Sequence, residues 1–394
     1  MKRKYLLLMS MLVVSLSIFS GCNNDTKQAD NTASEEETKT EGEEKAAEEE
    51  TKDDGEEKSS EEETATEAEE KPAEAENKEA EVVSGTMTQE FDLTNHDAKE
   101  SVKLWIPVAQ SDEYQEISNM KVAVNGEDSN YEINEDDLGN KMIYVEWKAE
   151  DKERKVSYSF DVERKEALRP ELKEETEIDE KEFAPYLADS SLLKISGNIK
   201  DKAMEITKDK EKVIDKERAI YDWIYDNMER NDDVIGCGTG DVENLLKTLN
   251  GKCTDIGSVF IAMSRAIGVP ARETFGVRMS KDDKADMTKG QHCWVEFYET
   301  GTGWFPIDIA DVLKGILKDN LEKDSKEALD LKEYYWGNFD ALRVGFTTGR
   351  DLTLVPAQSE PKLNQFGYPY AEVDGSALDF YKPDEFVYTI TYTK

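Results

Sequence analysis

The stretch GKCTDIGSVFIAMSRAIGVPAR, residues 251–272, places a cysteine at the start of an apolar helical pattern. Five apolar side chains recur at the spacing of one helix face: Ile256, Val259, Phe260, Met263 and Ile267. A glycine and a proline then end the pattern. Cys253 is therefore predicted in the first turn of a buried helix, where the positive helix end stabilises a thiolate. The position also suits a small apolar side chain filling a core, so the cysteine alone leaves both interpretations open.

A cysteine nucleophile needs a base and a third group that orients the base. The chain has 2 histidines. His96 lies in a turn-like segment and is expected to face water, which leaves His292 at the start of the strand-like run 292–298. A glycine-rich turn joins this run to a second one, 304–308, and such a hairpin places Asp308 beside His292.

Three blocks around these residues resemble the core of the bacterial transglutaminase-like superfamily. The blocks are Gly251-Lys252-Cys253-Thr254-Asp255 with Arg265-Ala266-Ile267-Gly268-Val269-Pro270-Ala271-Arg272, then His292-x-Trp294-Val295-Glu296, then Gly303-Trp304-x-Pro306-x-Asp308. The resemblance covers about residues 215–310, and the order and spacing of the blocks make it specific. It implies an α+β, papain-like fold whose cysteine heads a helix packed on an antiparallel sheet. It also implies that Cys253 is the nucleophile, His292 the base and acid, and Asp308 the residue that orients the histidine.

The resemblance further implies a reaction. The thiolate attacks a carboxamide or peptide carbonyl, a thioester forms, and the acyl group passes to an amine or to water. The residues do not decide between cross-linking and hydrolysis. The Cys253 backbone N–H is the expected oxyanion donor, and Gln291 and Trp304 are candidates for a second donor. No EF-hand pattern is present in the sequence, and no metal or other cofactor is expected.

Two further cysteines accompany this core. Cys237 lies in a glycine-rich segment, 236–241, but no Lys-Ser or Lys-Thr follows, which disfavours a P-loop. Strand alternation points Cys293 away from His292 and into the core. A free or packed Cys237 is favoured, while a disulfide to Cys253 would silence that thiol until reduction and one to Cys293 would be structural. Zinc binding by these groups is disfavoured because residues 292 and 293 face opposite sides of one strand.

The N-terminus resembles a bacterial lipoprotein signal. MKRK precedes an apolar run, 5–19, that is about as long as a signal core and short for a membrane span, and Ser20-Gly21-Cys22 follows. Residues 1–21 are predicted to be a signal peptide, and Cys22 is the predicted lipid attachment site. We therefore expect a chain anchored by lipid to the cell membrane, on its extracytoplasmic face.

Charge and composition divide the rest of the chain. Residues 23–81 carry 25 Asp and Glu against 7 Lys and contain no Leu, Ile, Met, Phe, Trp or Tyr, so 22–83 is predicted to be a disordered acidic linker. Alternating runs with turns between them predict a β-sandwich over 84–166. The transglutaminase-like domain is predicted over 167–394 and includes C-terminal strands. A net charge of −24 over 82–394 disfavours nucleic acid as a partner.

Two functional hypotheses follow. The favoured one is a membrane-anchored cysteine acyltransferase or peptidase that acts on protein or peptide substrates at the cell surface. The other is a non-catalytic binding or scaffolding protein that keeps the fold for its shape. A thiol redox switch at Cys237 is a third, weaker hypothesis.

Overall fold

The structure is a computed structural model that describes residues 79–394. The predicted signal peptide, Cys22 and all but the last residues of the predicted linker lie outside the described residues. The strands are β1 (Val82–Asp92), β2 (Ser101–Pro107), β3 (Gln115–Val124), β4 (Glu132–Glu135), β5 (Lys141–Lys148), β6 (Lys155–Lys165), β7 (Glu229–Arg230), β8 (Asn250–Gly251), β9 (Ala271–Arg278), β10 (Lys284–Asp286), β11 (Gln291–Glu299), β12 (Gly303–Ile307), β13 (Arg343–Thr348), β14 (Tyr370–Val373), β15 (Ser376–Ala377) and β16 (Val387–Thr393). The helices are α1 (Ala184–Leu187), α2 (Asn198–Thr207), α3 (Val213–Asn227), α4 (Val242–Thr248), α5 (Cys253–Ala266), α6 (Ile309–Asp319) and α7 (Lys326–Tyr334).

Two five-stranded sheets pack face to face as a sandwich. Their strand orders are β10-β16-β1-β6-β3 and β15-β14-β2-β5-β4. Alternation explains the packing, since β6 buries Val156, Tyr158, Phe160 and Val162 while the residues between them stay more exposed. Leu104 of β2 and Val145 of β5, in the other sheet, lie in the same core. Apolar side chains from both sheets thus share one core.

The C-terminal strands complete this sandwich. The sequence assigned them to the domain 167–394, yet β16 pairs along β1 and β14 pairs along β2. Thr393 lies opposite Thr86, so the pairing joins the two ends of the described chain. The edges of β1 and β2 would otherwise present unpaired backbone groups, which gives the physical reason for this exchange. Residues 84–166 therefore supply only part of the sandwich.

A third sheet, of order β12-β11-β9-β13, carries the part of the fold predicted to be catalytic. Helix α5 packs on its strands β11 and β9, and every residue of α5 from Cys253 to Arg265 is buried. The predicted α+β fold, with a cysteine at the N-terminus of a helix packed on an antiparallel sheet, is confirmed. None of the helices within residues 79–394 is both long and apolar enough to cross a membrane.

The approach to α5 is set by the end of α4. Leu249, at φ 51°, is the left-handed residue that ends this helix. Asn250 and Gly251 then form β8, which runs parallel to β7. The chain therefore enters α5 in an extended conformation.

Candidate active site

Cys253 is the first residue of α5, and its side chain is 4% exposed. The Asp255 carboxylate, one turn into the helix, accepts the backbone N–H of Lys252 at 3.0 Å and so caps the helix start. Among residues 79–394, the backbone N–H of Cys253 donates to no acceptor. That free amide, at the positive end of the helix, can receive an oxyanion.

The glycine-rich segment before α4 binds a carboxylate of the protein itself through backbone N–H groups. The Asp255 carboxylate accepts the backbone N–H groups of Thr239 at 3.0 Å and Gly240 at 2.9 Å. At Gly238, with φ +89°, an added Cβ would collide with that carboxylate. The glycine-rich segment thus binds the Asp255 carboxylate where a phosphate loop binds a phosphate. These hydrogen bonds connect the segment to the start of α5.

His292 and Asp308 meet as the hairpin predicts. The His292 Nε2 atom lies 2.8 Å from Asp308 Oδ2, and both side chains are buried. Asp308 also caps α6, since its Oδ1 atom accepts the backbone N–H of Asp311 at 3.0 Å. Because Nε2 is bound to the carboxylate, Nδ1 is the ring nitrogen that can exchange a proton with the Cys253 sulfur. The other histidine, His96, bonds a backbone oxygen in the sandwich, away from this site.

Arg343 is a residue of the site that the sequence did not reveal. Its side chain is fully buried, and its guanidinium donates to Asp308 at 2.8 Å and to Asp340 at 2.7 Å. Burial alone would raise the pKa of Asp308, but the His292 ring and Arg343 outweigh it and hold that pKa below its ordinary value. Arg278 also contacts Asp340. Asp308, the partner of His292, is therefore part of an ion-pair network with Arg343, Asp340 and Arg278.

The thiol of Cys253 lies among two other cysteines and the His292 ring. Hydrogen bonds from Cys237 and Cys293 and the interaction with His292 hold the pKa of Cys253 well below its ordinary value, although burial opposes this shift. Cys293 is buried, as predicted, and its sulfur lies 3.5 Å from Thr254 Oγ1. All three thiols are free in this structure. The neighbouring thiols and the imidazole therefore favour the thiolate form of Cys253.

The two candidates for a second oxyanion donor lie in different places. Gln291 directly precedes His292, and its Nε2 donates to the Tyr388 hydroxyl at 3.3 Å. Trp304 pairs with Tyr298, six residues along β11 from His292, which is about 20 Å in an extended strand. Its ring lies under the Arg272 guanidinium, 4.0 Å away. Gln291 remains a candidate, whereas Trp304 belongs to a separate aromatic cluster.

His292, Asp308 and Asp311 bring potential metal-ligand atoms within 4.8 Å of one another. Both carboxylates already have cationic partners, since Arg343 lies against Asp308 and Arg278 lies against Asp311. A metal ion bound there would have to displace or repel those guanidinium groups. The donor set therefore fits an ion-pair network better than a metal site.

The chain is similar to several known proteins. The family model of the transglutaminase-like superfamily matches residues 200–309. An uncharacterized protein of Haemophilus influenzae is 34% identical over 328 residues, which cover 76% of this chain and 89% of that protein. A solved candidate cysteine protease of Cytophaga hutchinsonii has a TM-score of 0.48 at 18% identity, over 79% of this chain and 98% of that chain. The periplasmic domain of TgpA from Pseudomonas aeruginosa has a TM-score of 0.34 at 13% identity, over 61% of this chain and 92% of that chain. Residues 200–309 thus belong to the transglutaminase-like superfamily, and the chain as a whole is a homologue of the Haemophilus protein.

Proposed function

We propose that the protein is a cysteine enzyme that transfers acyl groups from peptide or carboxamide bonds through a thioester. The observation that carries this proposal is the buried contact of 2.8 Å between His292 and Asp308 beside the Cys253 thiol. Nucleophile, base and orienting carboxylate come from α5, β11 and the start of α6. The contact between His292 and Asp308 supports this assignment, because an activated nucleophile needs a base that a third group orients.

In the first half of the reaction the Cys253 sulfur attacks the carbonyl carbon. The electron pair of the C=O bond moves to oxygen, which the free Cys253 N–H stabilises. The tetrahedral intermediate collapses, the C–N bond breaks, and the His292 imidazolium protonates the leaving amine. Asp308 stabilises the imidazolium and holds its orientation throughout.

In the second half an amine or water attacks the thioester. His292 accepts the proton of the attacking group, the C–S bond breaks, and the thiolate of Cys253 is restored. The same three residues serve cross-linking and hydrolysis, and the acceptor that reaches the thioester decides the product. We propose hydrolysis of peptide or isopeptide bonds as the main activity, with transfer to an amine as the competing outcome.

The place of action belongs to the same proposal. A lipid on Cys22 would anchor the chain to the outer face of the membrane, and the acidic segment would hold the folded part away from the bilayer. Replacing Cys22 by serine should abolish metabolic labelling with a palmitate analogue and release the chain from the membrane fraction. A Cys22→Ser chain that still sediments with membranes would overturn the anchor.

The proposed acyl transfer is tested by measuring product formation. The full chain is incubated with peptide libraries and with glutamine and amine donors, and products and acyl-enzyme are identified by mass spectrometry. Cys253→Ala and His292→Ala should abolish product formation. His96→Ala removes the histidine outside the site and should leave turnover unchanged. Product formation that survives in Cys253→Ala would overturn the proposed function.

A further inference from the structure

A cavity of about 300 Å³ is lined in part by Lys252 and Gln291, the residues directly before Cys253 and His292. Its apolar lining comes from the loop before α4 and from the C-terminal segment that completes the sandwich. The apolar lining residues are Ile235, Tyr368, Phe380, Tyr381, Phe386 and Tyr388. None of these positions belongs to the three sequence blocks of the catalytic core.

The cavity borders the site through chain neighbours and through a direct contact. Lys252 and Gln291 also line it, and each directly precedes a residue of the triad. The Tyr368 hydroxyl donates to the Cys237 sulfur at 3.3 Å, and the Cys237 sulfur lies 3.4 Å from the backbone oxygen of Gln291. The cavity wall thus contacts the chain segments that carry Cys253 and His292. An extended peptide advances about 3.3–3.6 Å per residue and its side chains project further, so a side chain close to the attacked acyl group can enter the cavity.

Aromatic rings form the walls and leave apolar surface open to solvent. Tyr368 stacks on Phe380 with ring centroids 4.8 Å apart, and Tyr381 meets Tyr368 edge-on at 5.2 Å. Tyr381 is 37% exposed and Ile235 is 71% exposed. Exposed apolar surface beside a reactive group marks a binding site, and stacked or edge-on rings accept a further aromatic ring. The volume of about 300 Å³ lies at the lower end of the range of small-molecule pockets, about 300–1000 Å³, and accommodates an aromatic side chain.

The polar lining adds positive charge in an acidic protein. Lys252 and Lys289 line the cavity, and among residues 79–394 neither ammonium has a carboxylate within 4.0 Å. Residues 82–394 carry a net charge of −24. A substrate carboxylate is repelled by this overall charge and is attracted by the two ammonium groups here.

We propose that this cavity is a specificity subsite for an acidic peptide segment that carries a bulky aromatic side chain next to the attacked acyl group. The aromatic side chain enters between Tyr368, Tyr381 and Ile235, and an adjoining carboxylate meets Lys252 and Lys289. This inference rests on the proposed function for the role of the subsite, but the binding it describes is measured without turnover.

The test measures binding by isothermal titration calorimetry to the full chain carrying Cys253→Ser, which cannot form the thioester. The probes are three blocked peptides: acetyl-Glu-Phe-Gly-amide, acetyl-Glu-Ala-Gly-amide and acetyl-Lys-Phe-Gly-amide. The Phe peptide should bind about tenfold or more tightly than the Ala peptide, because burial of the ring removes apolar surface from water. Replacing Glu by Lys in the peptide should weaken binding about two- to fivefold, as expected for exposed charges.

Matched variants assign the effects. Tyr381→Ala should remove most of the preference for Phe, while Tyr131→Ala, a tyrosine on the sandwich, should leave it intact. Lys289→Gln should remove most of the preference for Glu, while Lys281→Gln should not. Equal binding of the Phe and Ala peptides, or a preference that Tyr381→Ala does not change, overturns the subsite.

Reactivity of Cys253 toward iodoacetamide, measured in parallel on the unsubstituted chain, separates the two proposals. Fast labelling without any peptide preference overturns the subsite alone. Slow labelling with the peptide preference retained overturns the proposed chemistry and leaves the subsite standing.

Discussion

Replacing Arg343 by methionine tests whether the buried ion-pair network supports the triad. The guanidinium is fully buried and bridges Asp308, at 2.8 Å, and Asp340, at 2.7 Å. Methionine preserves the apolar stem and removes both charge-assisted hydrogen bonds. Loss of one partner from a buried ion pair costs about 3–5 kcal/mol. At about 2–4 °C per kcal/mol for a chain of this size class, the unfolding midpoint should fall by about 6–20 °C.

The same variant should change the pH dependence of the thiol. Arg343 and the His292 ring together hold the pKa of Asp308 down against burial, so that pKa rises when Arg343 is lost. Asp308 then takes up a proton at a higher pH, and the acid limb of Cys253 alkylation moves upward. Below that limb the neutral carboxyl no longer stabilises the imidazolium.

Two control variants sharpen the result. Arg343→Lys keeps one charge but cannot fork between two carboxylates, so its loss of stability should be intermediate. Arg169→Met removes a guanidinium that is 44% exposed and lies 4.0 Å from Glu333, and should cost no more than about 1 kcal/mol. Unfolding is followed by circular dichroism with temperature and urea. A loss below about 1 kcal/mol for Arg343→Met, with an unmoved acid limb, would refute the role of the network.

Three other predictions concern buried groups. Burial raises the pKa of Glu217 to about 8, so the folded state keeps a proton that the unfolded state has lost above about pH 4.3. The free energy of unfolding should therefore fall by up to about 1.4 kcal/mol per pH unit from pH 4.3 to 8. Urea titrations at several pH values should show this decrease in the unsubstituted chain and not in Glu217→Gln. An equal decrease in both chains would contradict the prediction. Cys237→Ala removes a neighbouring thiol that lowers the pKa of Cys253 and should shift the acid limb of Cys253 alkylation to higher pH, whereas an unshifted limb would contradict this role of Cys237. Gly238→Ala should destabilise the fold more than Gly126→Ala, which has a similar φ of +87° but open space at its Cβ, and equal losses would show that the cradle tolerates a side chain.

The sequence predicts those parts of the site that local patterns specify. Helical spacing with a glycine turn before it places Cys253 at a helix start. A hairpin with a glycine-rich turn brings Asp308 to His292, because antiparallel pairing fixes which residues become neighbours. The family resemblance then assigns a role to each of the three residues.

Longer-range packing supplies what the sequence does not predict. Arg343 reaches Asp308 only because β13 pairs with β9 in one sheet register, and nothing in the sequence states that register. Tyr368 reaches Cys237 because the C-terminal strands join the sandwich. Only the fold shows that the glycine-rich loop before α4 surrounds the Asp255 carboxylate.

The central claim is that Cys253 is a thiolate activated by the His292 ring, and its alkylation rate tests this most directly. The full chain is treated with iodoacetamide at pH 6, where an ordinary thiol with a pKa of about 8.5 is almost wholly protonated. Labelling of Cys237, Cys253 and Cys293 is then followed by peptide mass mapping. We predict labelling at Cys253 at least about tenfold faster than for free cysteine, lost in His292→Ala and kept in His96→Ala. A rate at Cys253 no faster than that of free cysteine, or unchanged in His292→Ala, would contradict the claim.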